Sequence, residues 1–187
     1  MAHQRRGPRA PRSPYRGPGW KQQPTLGVDV GGVIVALAGR DEDTSFFGTR
    51  PLETPATDGV FEALATLAAG PYAGRVHLVS KAGPKVEANT RAWLEHHDFF
   101  TRTGVGRGDV HFVRERRDKA PVCERLGITD FVDDRLDVLA YLETVDRRYL
   151  FTGGTAEATA GELPDWVTAV DSWAALTVLL GGGGEAL

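Results

Sequence analysis

From Leu26 onward, short apolar runs alternate with stretches in which apolar positions recur every three or four residues, the rhythm of successive βα units around a parallel sheet. Residues 26–35 predict a first buried strand. Residues 36–55, polar and aperiodic, predict a loop or short hairpin folded over that strand's carboxyl end. Val60, Phe61, Leu64, Leu67 and Ala68 then share one face of a helix, with Asp58 placed to cap it and Gly70-Pro71 to stop it. Residues 75–79 predict the second strand, and Gly83-Pro84 opens a helix in which Val86, Thr90, Trp93 and Leu94 share a face. A third strand over 110–113, a short helix over 119–126 closed by Gly127, and a fourth strand over 129–132 follow, the last running straight into Asp133-Asp134. A helix over 136–142, strands over 148–151 and 167–170, and a helix over 173–180 complete the set. No internal repeat is visible.

At 187 residues and 41% apolar composition the chain is long enough for one well-buried core and short for two. The expected organisation is one domain over residues 25–180, preceded by an arm of residues 1–24 and followed by a flexible Gly-rich tail of residues 181–187. The arm carries Arg5, Arg6, Arg9, Arg12, Arg16 and Lys21, no acid and five prolines, so it is expected to be disordered. Removing its charges from the net −3 leaves 16 basic against 25 acidic side chains. The body therefore offers no general affinity for nucleic acid or anionic lipid, and any polyanion contact through the arm should be weak and non-specific. No apolar run approaches the roughly 18 residues of a membrane span, and no signal-peptide pattern opens the chain, so a cytoplasmic protein without membrane contact is expected. Cys123, the only cysteine, excludes an intramolecular disulfide and a thiolate cluster.

Three features fall at predicted strand ends, where an open parallel sheet places its ligand crevice. The first is Asp29 at the end of an apolar strand, followed by Gly31-Gly32. The second is Ser80-Lys81 at the end of the next strand. The third is Lys119 at a helix start, followed at short range by Asp133-Asp134-Arg135. A carboxylate can attack phosphorus only if the substrate's negative charge is offset, and a hard cation with oxygen ligands does this best. Taken singly, Asp29 could be a turn or cap residue and Asp133-Asp134 could cap the following helix.

In order and spacing these residues resemble the four motifs of the haloacid dehalogenase-like superfamily, over residues 26 to about 151. The resemblance implies a Rossmann-like three-layer α/β/α fold with a mainly parallel sheet. It also implies a Mg²⁺-dependent phosphatase in which Asp29 is the nucleophile, Ser80 and Lys119 hold the transferring phosphoryl oxygens, and Asp133 and Asp134 bind the metal. By the same resemblance the Gly31 backbone carbonyl joins Asp29, Asp133 and Asp134 as a metal ligand, and Gly31, Gly32 and Lys81 line the substrate position with Ser80 and Lys119. Lys81 and Arg135 sit beside matched positions, from which they could reach substrate or stand as exposed loop cations.

The chain departs from the family in two respects. Most phosphatases of the superfamily carry a second aspartate two residues after the nucleophile, as proton donor to the leaving group; here that position is Gly31. Loss of such a group costs roughly 10²–10⁴ in rate for a poor leaving group. The spacing between motifs also leaves no room for a cap domain, so the site should be open to a phosphorylated substrate, small or macromolecular. Two other readings remain: a non-catalytic domain that keeps the fold and binds phosphate, metal or a partner, and a sugar-kinase-like ATPase, since residues 28–32 also resemble the first phosphate loop of the actin and hexokinase group. The latter needs a second comparable domain. Outside the motifs, His77 and His111 are expected to be packed within strands, His96-His97 to form a solvated helix end, Cys123 to fill a small core space, and Asp41-Glu42-Asp43 to be a solvated loop face above the site.

Overall fold

The structure is a computed structural model, and it describes residues 23–36, 50–154 and 162–181. The basic arm through residue 22, the tail beyond residue 181 and the acidic run Asp41-Glu42-Asp43 lie outside the described residues. In chain order the elements are β1 (Leu26–Val28), α1 (Val60–Ala69), β2 (Val76–Lys81), α2 (Pro84–His96), α3 (Phe99–Thr103), β3 (Val110–Val113), α4 (Lys119–Leu126), β4 (Asp130–Asp133), α5 (Leu136–Leu139), β5 (Arg147–Phe151), β6 (Val167–Val170) and α6 (Trp173–Gly181).

The six strands form one sheet in the order β3-β2-β1-β4-β5-β6, and every pairing is parallel. Because side chains alternate across a strand, the sheet feeds two cores. On one face Val28, Leu78, Val132 and Phe151 pack with Leu64 and Leu67 of α1, Trp93 of α2, Phe99 of α3 and Trp173 of α6. On the other, Val79, Phe131 and Leu150 pack with Val122 and Cys123 of α4 and Leu139 of α5. Helices on both faces of a parallel sheet make the three-layer arrangement expected of the strand pattern. Burial of each such Leu, Val or Phe side chain contributes roughly 1.5–3 kcal/mol.

The chain winds outward from β1 through β2 to β3, then returns to the other side of β1 with β4. The two halves diverge between β1 and β4, which places a crevice at the carboxyl ends of those strands. Asp29 follows β1 there, its N–H donating to the Val132 carbonyl at 2.9 Å, and Asp133 closes β4 beside it.

Several boundaries differ from the sequence expectation. The first strand ends at Val28 rather than continuing to Val35. Beyond Asp29 the chain curls: the N–H groups of Ile34 and Val35 both donate to the Val30 carbonyl, and Gly32 N–H donates to the Val35 carbonyl. Apolar burial of Val30, Val33, Ile34 and Val35 mimics a strand in the sequence although the backbone is a compact loop. Asp58 does not cap α1; the N-cap is Gly59 in the left-handed region, with no side-chain hydrogen bond. The second strand extends through Ser80 and Lys81, and the fourth is displaced one residue to include Asp133. The helix after Asp134 stops at Leu139, because Tyr141 and Leu142 donate to carbonyls only three residues back and tighten the turn. Helix α3, five residues long, is too short to show a periodicity and was not expected. The segment after the first loop does return as a hairpin end, with Val35 bridging Ala56 antiparallel and Ala36 N–H donating to the Pro55 carbonyl.

Candidate active site

Lys119, the first residue of α4, projects across the end of the sheet and is 2% exposed. Its ammonium lies 2.7 Å from Asp133 Oδ2 and 2.9 Å from Asp29 Oδ1, so one cation ties the ends of the two central strands together. Burial opposes its charge, but the Asp29 and Asp133 carboxylates more than offset that, and its pKa rises. The second oxygen of Asp133 accepts the Arg135 N–H at 3.0 Å, which fixes the turn into α5. Carboxylate oxygens of Asp29, Asp133 and Asp134 lie within 4.8 Å of one another.

Three carboxylates share this volume with one buried ammonium. Burial raises the pKa of Asp133 to about 8, with Asp29 adding to the rise and Lys119 opposing it. Burial likewise raises that of Asp134 to about 6, helped by the charge on Asp29 and opposed by Lys119 and Arg135. Both acids resist ionisation because their negative charge is under-compensated, and a divalent cation is the compensation an all-oxygen donor set of this kind accepts. The residues present therefore fit a hard metal ion.

A pocket of about 240 Å³ opens over these groups, lined by Asp29, Gly31, Ser80, Lys81, Lys119, Asp133, Asp134 and Arg135. Every residue that the motif pattern singled out, save Gly32, thus faces one cavity. Gly32 sits behind it at φ +76, where a Cβ would collide with the Asp134 carboxylate. Its place is to let the loop pass against Asp134, which departs from the expectation that it lines the substrate position. Gly31 has no positive φ, and nothing lies within 4 Å of where its Cβ would stand. Arg135 is drawn partly aside, its guanidinium bonding Asp137 at 3.0 and 3.2 Å.

The sequence reading missed four contributors. Arg116, in the turn Arg116–Asp118, reaches the pocket rim with its side chain 48% exposed and only a long 4.0 Å contact to Asp137. Its signal was its place three residues before Lys119. Thr54 lines the wall, and its carbonyl accepts the Trp93 indole N–H at 2.8 Å. Trp173 Nε1 is 3.0 Å from both the Val33 carbonyl and Thr57 Oγ1, pinning the loop that follows Asp29. Gly154, after β5, packs so closely on the Gly32 carbonyl that any side chain there would collide.

Of the remaining residues, Cys123 is fully buried in the second core, as expected. His97 is not simply solvated: its ring lies tilted against Trp93 with centroids 4.3 Å apart, and its Nε2 lies 2.9 Å from the Leu52 carbonyl. His77 and His111 are only partly buried and meet each other and Asp109, outside the pocket. Among the described residues no helix is long and apolar enough to cross a membrane.

No protein-family model matches the chain, and no curated protein matches its sequence. Among solved structures, a haloacid dehalogenase-like family hydrolase from Xanthomonas campestris is similar, with a TM-score of 0.57 and 14% identity over 87% of this chain and 96% of that one. The parallel six-stranded sheet, its switch point between β1 and β4, and this similarity together establish a haloacid dehalogenase-like fold.

Proposed function

We propose that this chain is a Mg²⁺-dependent phosphomonoester hydrolase that works through an aspartyl-phosphate on Asp29. The observation that carries the reading is the buried Lys119 ammonium, held between Asp29 and Asp133 on the floor of an open pocket with a third carboxylate, Asp134, beside them. A structural ion pair needs one acid; a second and third in a buried space are costly unless a cation and an anionic substrate share the site.

Asp29, Asp133 and Asp134 would hold the Mg²⁺, which when bound would offset substrate charge and polarise phosphorus. One Asp29 oxygen faces Lys119, leaving the other for in-line attack. As the Asp29–phosphorus bond forms, the bond from phosphorus to the leaving oxygen breaks, and that oxygen takes its proton from water because Gly31 has none to give. Water then attacks the aspartyl-phosphate, releasing inorganic phosphate and restoring the Asp29 carboxylate. Lys119 and the Ser80 hydroxyl, both at the pocket, would hydrogen-bond the equatorial oxygens throughout, with Lys81 and Arg116 at the mouth drawing in the anion. The open pocket admits an exposed phosphate on a small or a large substrate.

A second reading, a domain that binds phosphate and metal without turnover, is favoured by the bare space at Gly31. Release of phosphate from p-nitrophenyl phosphate separates the two, since that leaving group needs little protonation. Turnover that requires Mg²⁺, is stopped by EDTA and is abolished by Asp29→Asn is the expected result. Tight phosphate or metal binding with no Mg²⁺-dependent turnover would select the binding domain instead. Replacing Asp133 and Asp134 together by Asn should shift the Mg²⁺ titration to higher concentration; an unchanged titration would place the metal elsewhere.

A further inference from the structure

On the opposite face of β2 from Ser80, and nearer the strand's amino end, three ligating side chains converge that the phosphatase reading leaves unused. His77 comes from β2, His111 from β3, and Asp109 from the turn Arg107–Asp109 that leads into β3. His77 Nδ1 lies 3.3 Å from Asp109 Oδ1 and 3.4 Å from His111 Nε2, and one ligand atom from each of the three residues lies within 4.8 Å of the other two. We propose that His77, Asp109 and His111 form a binding site for a borderline divalent cation, zinc foremost, separate from the Mg²⁺ site of the proposed phosphatase.

The distances carry the identification. Two ligand atoms at the tetrahedral angle on a zinc ion, each about 2.0–2.1 Å from it, stand about 3.3–3.4 Å apart. Both measured edges of the triangle have that length. Hydrogen bonding alone accounts for the arrangement less well. A single proton on His77 Nδ1 can point at Asp109 or be absent so that His111 Nε2–H donates to it; in the second case a carboxylate oxygen faces a ring lone pair at 3.3 Å. A cation at the centre satisfies all three lone pairs at once.

The donor set also selects the ion. Two imidazole nitrogens and one carboxylate oxygen suit zinc and its neighbours, whereas the Asp29, Asp133 and Asp134 cluster offers oxygen alone and suits Mg²⁺. Partial burial lowers the pKa of both imidazoles, favouring the neutral form that ligates. With side chains 14% and 34% exposed at His77 and Asp109, the site is open to solvent, so water can fill the fourth position. Bound zinc would fasten the edge strand β3 and the turn before it to β2.

The test is zinc and cobalt binding to the tag-free full chain, titrated in excess Mg²⁺ so that the oxygen-only cluster is occupied. One zinc per chain and a strong visible cobalt spectrum of the tetrahedral type are expected. Asp109→Asn, a change at a partly exposed turn, and His111→Ala should each weaken zinc binding at least about tenfold while leaving Mg²⁺-dependent phosphate release unchanged. A wild-type chain that binds no zinc above the Mg²⁺ site, or binding that survives Asp109→Asn and His111→Ala, would overturn the proposal. Because the wild-type titration stands on its own, misfolding of a variant does not rescue it. Failure of the phosphatase reading would show instead as absent turnover with zinc binding intact.

Discussion

On the proposed phosphatase reading, a carboxylate two residues beyond Asp29 would serve the leaving oxygen, and Gly31 offers none. The loop curls at that point instead of continuing as a strand, yet Gly31 still lines the pocket, its φ is ordinary, and the space ahead of it is empty among the described residues. Gly31→Asp should therefore be accommodated, and should raise turnover of an alkyl phosphate by up to about 10²-fold while barely changing that of p-nitrophenyl phosphate. Equal gains on both substrates would mean that the new carboxylate acts on the metal or the nucleophile rather than on the leaving group. That Asp29, Ser80, Lys119, Asp133 and Asp134 share one pocket was legible in the sequence, because strand-end acids and a helix-start lysine in fixed order have few other reasons to coincide. Arg116 and Gly154 were not. A cation in a charged run looks like any solvated residue, and the role of Gly154 arises from its approach to Gly32, far away in the chain.

Among the described residues the strand count and the helix faces of the βα units follow from apolar periodicity, and the elements lie within a few residues of the expected ones except for the early end of β1 and the unexpected α3. What periodicity could not reveal is the loop from Asp29 to Val35, whose buried apolar residues satisfy a strand pattern while its backbone turns back on itself. That loop is held by α6 and the segment before α1. Trp173 Nε1 reaches the Val33 carbonyl and Thr57 Oγ1, and Thr57 Oγ1 in turn donates to the Val33 carbonyl at 2.6 Å. Trp173→Phe keeps an aromatic body in the core but removes one of the two donors to the Val33 carbonyl, which Thr57 Oγ1 still satisfies, at a cost of about 0.5–1.5 kcal/mol in denaturant unfolding. Phosphate release should fall with it, since the Asp29 loop loses an anchor. A variant as stable and as active as the parent would show that the loop holds its shape without this contact.

For the whole molecule, the clustered acids couple stability to pH and to metal. The carboxyl groups of Asp133 and Asp134 are raised to about 8 and about 6, above an unfolded value near 4, so the folded state binds more protons than the unfolded state between these limits. Stability of the metal-free protein should therefore fall as pH rises from about 4 through the folded values, to the extent that these two groups contribute. Mg²⁺ binds the ionised carboxylates. It should stabilise the fold, and so raise Tm, little at about pH 5 and fully at about pH 8, the stabilisation reaching about 2.7 kcal/mol when the ion is present at about 100 times its Kd. Equal metal-induced shifts at both pH values would mean that the acids are already ionised without the ion. The meeting of these residues was readable in the sequence but their burial, which raises the two carboxyl groups, was not; the parallel pairing of β1 with β4 is what sets Asp29 and Asp133 within 2.9 Å of the Lys119 ammonium.

The central claim, that Asp29 attacks phosphorus, is tested most directly by stopping the Mg²⁺-dependent reaction with acid during turnover of p-nitrophenyl phosphate and locating any covalent phosphoryl group by peptide mass analysis. The account predicts one hydroxylamine-sensitive phosphoryl group on the peptide that contains Asp29, absent without Mg²⁺ and absent in Asp29→Asn. Mg²⁺-dependent turnover that persists in Asp29→Asn, or a phosphoryl group found on any other residue, would contradict it.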